Sequence, residues 1–334
     1  MDWNSIFSQT LTQAIGVSAV IYCLAAVGLN VHFGYTGLLN FGQAGFLAVA
    51  AYGLAVSVAN MGWSLWAGLV VGLIASVILA LLLGIPTLRL RADYLAIVTI
   101  AAAEIIRLIV RSVTFREWFG GSDGITRFAD SFYDLNPFPG PLALGPITFS
   151  QNDLWVVTVG WSLVAISSLA IWSLMRSPWG RVLKGIREDE DAVRSLGKNV
   201  FGYKMSALVI GALIGMLAGM ILAMKTQNVQ PDNYSRAVTF YVMTALVLGG
   251  VAKVKGSIVG PMIFWGLLAF TDVFLSELSD DQGQVTVLGV TILRSSSERG
   301  QFRFLLVGVG LIVLMVYRPQ GMFGNRKEMA LDGR

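Results

Sequence analysis

Two carboxamide side chains, those of Asn40 and Gln43, stand three residues apart in the stretch GLLNFGQAGF. If this stretch is helical, both side chains lie on one face and could hydrogen-bond the same small polar solute. Gly42 and Gly45 are close to these two residues in sequence. Because glycine has no side chain, the backbone at these positions could approach such a solute closely. The pattern predicts a binding position for a small polar molecule; a hydrogen bond between helices is the alternative.

Glu104 is the acidic residue predicted to lie deepest within an apolar helix. It follows Asp93 by eleven residues, which is roughly 16 Å along a helix that rises about 1.5 Å per residue. Arg107 stands three residues further on and could form an ion pair with it on the same face. A structural ion pair is one interpretation, and a direct part in moving a solute is the other.

The sequence lacks the motifs of nucleotide hydrolysis and of common metal sites. It contains no G-x-x-x-x-G-K-[ST] loop, its only histidine is His32, and its only cysteine is Cys23. A lone histidine excludes paired-histidine metal motifs, and a lone cysteine excludes an intrachain disulfide. We therefore expect no catalytic residue, no cofactor and no metal in this chain, and nothing in its charge pattern favours nucleic-acid binding.

These polar residues belong to a chain that is too apolar for an ordinary soluble protein. Of its 334 residues, 55% are hydrophobic and 13% are charged, against about 25% charged in soluble domains. No Asp, Glu, Lys or Arg occurs from Trp3 to Leu88, a length that suffices for several membrane crossings at roughly 20 residues each. The composition predicts an all-α, polytopic integral membrane protein in which residues 1–334 form a single transmembrane domain.

Hydrophobic runs bounded by charge, glycine or proline predict about nine transmembrane helices, within a range of eight to ten. The nine runs lie near residues 10–31, 37–59, 65–86, 93–112, 153–175, 204–224, 237–252, 256–276 and 302–317. Glycines at four-residue spacing, Gly211, Gly215 and Gly219, mark one face of the sixth run. Such a face predicts close contact with another helix of the chain, with a subunit interface as the alternative.

The late runs are interrupted. Residues 237–252 run into LGGVAKVKGS, which contains Gly249 and Gly250, and the next run contains Pro261. Broken helices in transport proteins often line the solute path, because their free backbone groups survive only beside a cavity or within protein. Gly249 and Gly250 are therefore candidates for such a path, together with the segment around Asn40. The alternative is that these glycines only allow helices to pack closely.

Charge placement predicts the orientation in the membrane. Fifteen of the 24 Lys and Arg residues fall in loops on one side, and positive residues favour the cytoplasm. The N-terminus is therefore expected outside and the C-terminus inside. On the outer side, residues 114–152 form a long loop rich in proline and aromatic residues, for which docking of an extracytoplasmic partner and a packed cap are the two interpretations.

The most polar segment is GIREDEDAVRSLGKN, residues 185–199, within a predicted cytoplasmic loop at residues 177–203. Val182, Ile186, Val193 and Leu196 fall close to one helical face, which predicts a short amphipathic helix outside the bilayer. Gly197 stands where that helix could stop. Because the charges nearly balance, a protein partner fits this helix better than a lipid surface; a solvated loop is the alternative.

Several segments, taken together and in order, resemble the branched-chain amino acid ABC transporter permease family, in its M-type subunit. They are GYTGLLNFGQAGFLAVAAYG, GIREDEDAVRSLGKNVFGYK, GMLAGMILAMKTQNVQPDNYS, LVLGGVAKVKGSIVGPMI and YRPQGMFG. The resemblance implies a permease subunit of an ATP-driven importer that moves branched-chain amino acids across the bacterial cytoplasmic membrane by alternating access. Urea and short-amide permeases share this architecture and remain an alternative, and an ion-coupled secondary transporter is a further one.

The resemblance also implies partners and roles. The partners are a homologous second permease, an extracytoplasmic binding protein, membrane lipid and two cytoplasmic ATPase subunits, which bind ATP and Mg. The charged loop becomes a coupling helix that docks on an ATPase. Its candidate coupling residues are Arg187, Glu188, Asp189, Glu190, Asp191, Ala192, Val193, Leu196 and Gly197. The candidate path residues are Asn40, Gly42, Gln43, Gly45, Glu104, Gly249 and Gly250; at Asn40 and Gln43 many relatives have Ser and His.

Overall fold

The computed structural model describes residues 3–89, 92–144, 147–278, 285–287, 290–293, 296–318 and 320–324. Four basic residues that count toward the predicted orientation lie outside these ranges: Arg91, Arg326, Lys327 and Arg334. The ends of the predicted domain at residues 1–334 lie outside them as well.

The described residues are overwhelmingly helical. The α-helices in chain order are α1 Trp3–Ile15, α2 Val17–Leu29, α3 Gln43–Ala55, α4 Leu65–Thr87, α5 Ala92–Arg111, α6 Arg116–Phe119, α7 Asp130–Tyr133, α8 Gln151–Arg176, α9 Pro178–Glu188, α10 Glu190–Ser195, α11 Val200–Thr226, α12 Arg236–Gly249, α13 Val254–Glu277 and α14 Ser296–Tyr317. Two π-helices, Asn30–Tyr35 and Val56–Asn60, extend α2 and α3, and 3-10 turns lie at Val113–Phe115 and Pro231–Tyr234. The first of the π-helices is called the π segment below.

Strands are few and short. They are β1 Ile125–Thr126, β2 Leu142–Leu144, β3 Ile147–Phe149, β4 Asn228–Val229, β5 Val285–Val287 and β6 Val290–Leu293. They pair antiparallel as β1 with β4, β2 with β3, and β5 with β6. The predicted all-α architecture is therefore confirmed.

Six helical stretches among the described residues are long and apolar enough to cross a membrane. They are Trp3–Tyr35, Gln43–Asn60, Leu65–Thr87, Gln151–Arg176, Val200–Thr226 and Val254–Glu277. The other three predicted crossings form α5, α12 and α14, which are helical at the predicted places but carry more charge or, for α12, only 14 residues. A polytopic membrane protein is confirmed, while the count of nine crossings stays a prediction.

Two predicted helices are wrong in their limits. The first crossing is divided at Gly16 into α1 and α2 and then continues into the π segment. The second was predicted from residue 37 but starts at Gln43, because residues 37–42 are not helical. Gly37 has a φ of +74°, a left-handed conformation that favours glycine and interrupts a right-handed helix.

At the centre of the molecule, α11 packs against both α2 and α3. Within α2, most side chains between Ala19 and Leu29 are buried. A Cβ added to Gly28 would lie 2.5 Å from the carbonyl oxygen of Gly211 and 2.7 Å from the amide nitrogen of Gly215. The glycine face of α11 is thus in backbone contact with α2, which confirms the predicted contact within the chain.

The described part of the segment 114–152 packs onto the helices. Phe128 and Phe132 are buried, and strand β1 pairs with β4, which follows α11. The Tyr133 hydroxyl donates a 3.0 Å hydrogen bond to the Met224 carbonyl at the end of α11, and desolvation raises the pKa of Tyr133 above its usual value. The structure therefore has the packed cap that was one interpretation of this segment, and partner docking on its outer surface stays a prediction.

Replacing Gly28 with alanine is expected to destabilise the protein, because the new Cβ meets backbone atoms of α11 that cannot rotate away. Overpacking of this kind costs about 1–3 kcal/mol. Thermal unfolding of the purified protein in detergent measures the effect. Gly310→Ala in α14 is the matched control, since no atom of the described residues beyond its own stretch of helix lies within 4 Å of its added Cβ. Equal melting temperatures for the two variants would contradict the proposed backbone contact.

Candidate functional site

The break between the π segment and α3, residues 36–42, lies mostly buried among the helices and is called the break segment. Its backbone bonds to side chains of distant helices. The Phe41 amide donates to the Thr99 hydroxyl of α5 at 3.0 Å, and the amide of Ala44, in the first turn of α3, donates to Thr239 of α12 at 2.9 Å. Irregular backbone survives at membrane depth only where protein or water satisfies it, so these bonds stabilise the break.

Asn40 and Gln43 occupy different kinds of position. Asn40 lies in the break segment, where its Oδ1 accepts a 2.8 Å bond from the Gly42 amide, and Gln43 is the first residue of α3. Both are fully buried. The premise that they share one helical face is therefore wrong, because the chain is not helical before Gln43. Their part in binding a solute stays a prediction.

Gln43 lies beside a residue that the sequence pattern did not single out. The Gln43 Oε1 is 3.3 Å from Nε2 of His32, which is fully buried in the π segment, and the Gln43 Nε2 donates a long 3.5 Å bond to the Ala25 carbonyl. Glycines 211 and 215 of α11 leave the room that these two side chains occupy. A lone histidine in a charge-free stretch was a usable signal, since polar residues are costly in hydrocarbon.

Two polar atoms in this region have no hydrogen-bond partner among the described residues: Nδ1 of His32 and Nδ2 of Asn40. Buried polar groups normally find a partner in protein or in bound water. If Nε2 of His32 carries the proton and donates to Gln43, its Nδ1 is an acceptor, whereas Nδ2 of Asn40 is a donor. The region around the break segment can therefore offer both kinds of hydrogen bond to a small polar molecule.

The four candidate glycines lie against other backbone. A Cβ on Gly42 would lie 2.7 Å from the Thr99 carbonyl oxygen, and one on Gly45 would lie 3.2 Å from the Cα of Ala103. Both glycines therefore face α5. Gly249 ends α12 against Gly256 and Gly260 of α13. Gly250 follows with a φ of +111°, close to the amide of Gly324.

The two breaks in the chain, residues 36–42 and the turn between α12 and α13, are connected through Asn30. Its Oδ1 accepts a 2.9 Å bond from the Ala252 amide, and its Nδ2 donates 3.1 Å to the Lys253 carbonyl. Asn30 is buried at the start of the π segment. The structure thus joins the interrupted late helices to the glycine-rich region that follows α2.

Glu104 forms the predicted ion pair with Arg107. Its carboxylate accepts bonds of 3.1 Å from Nε and 2.6 Å from Nη2 of that guanidinium. Arg107 also bonds Asp232 of the 3-10 turn at 3.1 Å, as does Arg111. The pair is therefore part of a charge network that ties α5 to the turn before α12. A direct part for Glu104 in transport stays a prediction.

An apolar cleft of about 300 Å³ lies between α3, α4 and α5. Its lining residues include Val49, Tyr52, Val71, Ala75, Ile106 and Val110. None of the candidate path residues lines it. The cleft is therefore separate from the polar region around the break segment.

The charged loop folds as two helices, α9 and α10, rather than one. The break is at Asp189, whose backbone is extended (φ −154°, ψ +103°) and whose carboxylate caps α10 by accepting from the Ala192 amide at 2.9 Å. The predicted single apolar face is wrong because this break changes the direction of the chain. Leu183 and Ile186 are buried, whereas Leu196 is 78% exposed.

The end of α10 is where the sequence predicted it. The helix stops at Ser195, and Gly197 follows with a φ of +75°. Val193 is half-buried against Gly185 of α9. The two helices therefore pack as a hairpin.

The acidic residues of this hairpin differ in their surroundings. Glu190 bonds Arg194 at 2.8 Å and also contacts Lys204 of α11. Asp191 bonds Arg194 at 2.7 Å with its side chain 88% exposed, and Glu188 is exposed. Glu190 therefore holds the hairpin to α11. Glu188, Asp191 and Leu196 are among the coupling candidates that are exposed to a partner.

Arg187 differs from its neighbours because its guanidinium bonds the membrane part of its own chain. Its Nη1 donates a 2.7 Å bond to the Gly34 carbonyl of the π segment. The side chain is half-buried. Arg187 thus connects the hairpin directly to the helix that carries His32.

Comparison with known proteins decides the family. A family model described as branched-chain amino acid transport system / permease component matches residues 11–294. The chain belongs to this permease family. The permease is 30% identical to the high-affinity branched-chain amino acid transport system permease protein LivM of Salmonella typhimurium, over 92% of this chain and 69% of that protein.

Other relatives of the permease agree with this assignment. The Escherichia coli LivM protein, with the same description, is also 30% identical, over 93% of this chain and 69% of its own length. The Escherichia coli permease protein LivH is 22% identical over 86% of this chain and 93% of its length. The permease is therefore a membrane transport component and not an enzyme.

Removing the hydroxyl of Thr239 is expected to destabilise the break. Thr239→Val keeps the shape of a fully buried side chain but leaves the Ala44 amide without its acceptor, at a cost of about 1–3 kcal/mol. Thermal unfolding in detergent reports the loss. The matched control is Thr271→Val in α13, whose hydroxyl bonds the Leu267 carbonyl of its own helix. A Thr239 variant as stable as this control would show that the break does not depend on the bond.

Proposed function

We propose that the permease is a subunit of an ATP-driven importer that moves branched-chain amino acids across the bacterial cytoplasmic membrane. The match of residues 11–294 to the permease family carries the proposal. The two LivM relatives, whose names give branched-chain amino acids as the transported solute, support that substrate class. Nothing in this chain resembles a phosphate-binding loop, so ATP and Mg are bound by partner ATPase subunits.

Transport follows an alternating-access cycle in which ATP binding and hydrolysis on the partners shift the helices between outward-open and inward-open states. The helix interruptions at residues 36–42 and at Gly249–Lys253 support a path in this region, because a discontinuous helix exposes backbone groups that can contact a polar solute. The unpartnered atoms of Asn40 and His32 supply further hydrogen bonds. Opening of this buried region toward either side would admit the charged groups of an amino acid.

Partners are assigned to three surfaces of the permease. The second permease is a homologous subunit, and the LivH relative supports the existence of related permeases in one organism. The exposed apolar side of α4, which includes Trp66, Ile74, Ile78 and Leu82, faces that subunit or lipid. The α9–α10 hairpin docks on an ATPase in the cytoplasm, and the cap of residues 114–152 faces the binding protein outside, in agreement with the positive-inside rule.

Uptake into proteoliposomes tests the substrate. The assembled transporter, with both permeases, both ATPase subunits and its binding protein, is expected to accumulate labelled leucine in the presence of ATP, at least about tenfold faster than an ATPase-inactive complex. Labelled urea is the comparison solute. Leucine uptake no faster than in the inactive complex would overturn the proposed substrate, and ATP-driven urea uptake would assign the permease to the urea and short-amide importers.

Alanine at Asn40 and Gln43 tests the path. The double variant is expected to reduce ATP-driven leucine uptake by about tenfold or more, because the buried hydrogen-bonding groups are lost. Gln13→Ala, on the exposed side of α1, is the control carboxamide. Melting temperatures separate lost binding from lost folding. Unchanged uptake in a well-folded double variant would remove these two residues from the path.

A further inference from the structure

The Arg187 side chain lies across the end of the π segment. Besides the 2.7 Å bond from its Nη1 to the Gly34 carbonyl, its Cγ would lie 3.4 Å from a Cβ placed on Gly37. A glycine at 37 therefore leaves room for the arginine to approach the backbone. One nitrogen of this guanidinium is therefore engaged by its own chain.

The π segment is held at both of its ends. At its start, Asn30 bonds the turn that precedes α13, at Ala252 and Lys253. At its end, the Gly34 carbonyl accepts the bond from Arg187, and a Cβ on Gly34 would lie 2.8 Å from the Ala252 amide. Oδ1 of Asn30 lies closer still to that added Cβ, so a displacement of Gly34 acts on a closely packed junction.

His32 lies two residues before Gly34 in the same π segment and is the residue paired with Gln43. The Leu38 amide of the break segment donates a 2.8 Å bond to the His32 carbonyl, and the Gly37 amide donates a 3.2 Å bond to Phe33. The backbone on both sides of Gly34 thus belongs to one bonded unit that includes the break segment. Single π turns within helices are frequent at functional sites.

The contacts of the α9–α10 hairpin indicate that the hairpin and Arg187 move together. Leu183 and Ile186 are buried on one side of α9, and the Trp179 indole donates a 3.0 Å bond to Ser206 of α11. Glu188 at the end of α9, Asp191 of α10 and Leu196 after α10 are exposed. A partner that engages these exposed residues would move α9, and the guanidinium is the charged link from α9 to the π segment.

We propose that Arg187 is a positioning residue that couples movement of the α9–α10 hairpin to the His32–Gln43 pair through the Gly34 carbonyl, rather than a contact residue for the ATPase. The inference rests on the proposed function, since it assigns the hairpin to ATPase docking and the buried pair to the solute path. It adds a specific route between them. The route runs from the bond between Arg187 and the Gly34 carbonyl along two residues of the π segment to His32.

The assembled transporter in proteoliposomes tests this role. Arg187→Ala is expected to keep complex assembly, melting temperature and ATP hydrolysis close to those of the parent, while leucine taken up per ATP hydrolysed falls about tenfold. Arg187→Lys, which retains one donor for the Gly34 carbonyl, is expected to recover part of the ratio, and Arg187→Gln less. Arg181→Ala is the matched control, because Arg181 lies on the same helix and is exposed.

A second measurement does not depend on the solute. A single reactive cysteine is placed in the break segment as Leu39→Cys, on a half-buried side chain, with the buried Cys23 replaced by serine. Its maleimide labelling rate is compared with and without ATP and vanadate. The rate is expected to change severalfold with ATP in the parent and in Arg181→Ala, and to lose most of that change in Arg187→Ala and Arg187→Gln.

Loss of ATPase assembly in all three Arg187 variants would show a docking contact and overturn the inference. An ATP-dependent labelling change in Arg187→Ala as large as in Arg181→Ala would overturn it as well. If leucine is not transported but labelling still depends on Arg187, the proposed substrate fails and the coupling role stands. If leucine is transported with an unchanged ratio in the Arg187 variants, the substrate stands and the coupling role fails.

Discussion

A helix that stops inside an apolar environment must have its free backbone groups satisfied by protein, and much of this structure depends on that constraint. No water is available in hydrocarbon to bond an unpaired amide. The interruption after α2 is bonded by Thr99 of α5, by Thr239 of α12 and by Asn40 within the break. Three separate elements must therefore meet at one point, which explains why helices distant in sequence surround α3.

The same constraint links the two interruptions. In the turn between α12 and α13, the Ala252 amide donates to Oδ1 of Asn30 and the Lys253 carbonyl accepts from its Nδ2, so a single carboxamide bonds both groups. Asn30 is the first residue of the π segment. Its bonds therefore bring the irregular parts of the chain together in one region instead of leaving them at separate places in the membrane. One polar side chain brought into hydrocarbon, that of Asn30, thereby satisfies two backbone groups.

Much of the fold could be predicted from hydrophobic run length, because a membrane crossing needs a nearly fixed number of apolar residues. The sequence prediction missed the break at residues 37–42 because these residues are as apolar as those of a membrane helix. Only the backbone bonds to Thr99 and Thr239 reveal the break, and such bonds depend on tertiary contacts. The sequence predicted one helix where the structure has the hairpin at residues 178–195, because the spacing of apolar residues does not show that the chain turns at Asp189. Glu104 and Arg107 were paired correctly because residues three apart on a helix are neighbours.

The roles of the candidate site residues were harder to predict. His32 drew attention only as a lone histidine, because its meaning depends on Gln43 being brought beside it by the fold. Arg187 looked like one of several charges on a polar loop. Sequence spacing does not show which side of α9 faces the membrane part of the chain, so its bond to Gly34 needed the structure.

The backbone contact of Gly28 with Gly211 and Gly215 has a consequence for how this sequence can diverge. The atoms nearest to Gly28 are all backbone atoms of α11, so no side chain there can adjust to a larger residue, and sequence change at this position is confined to glycine. The outward side of α4, with Ile74 and Leu82 exposed, can exchange one apolar residue for another freely. Descendants of this chain should therefore accumulate changes on the periphery while the crossing of α2 and α11 stays nearly fixed.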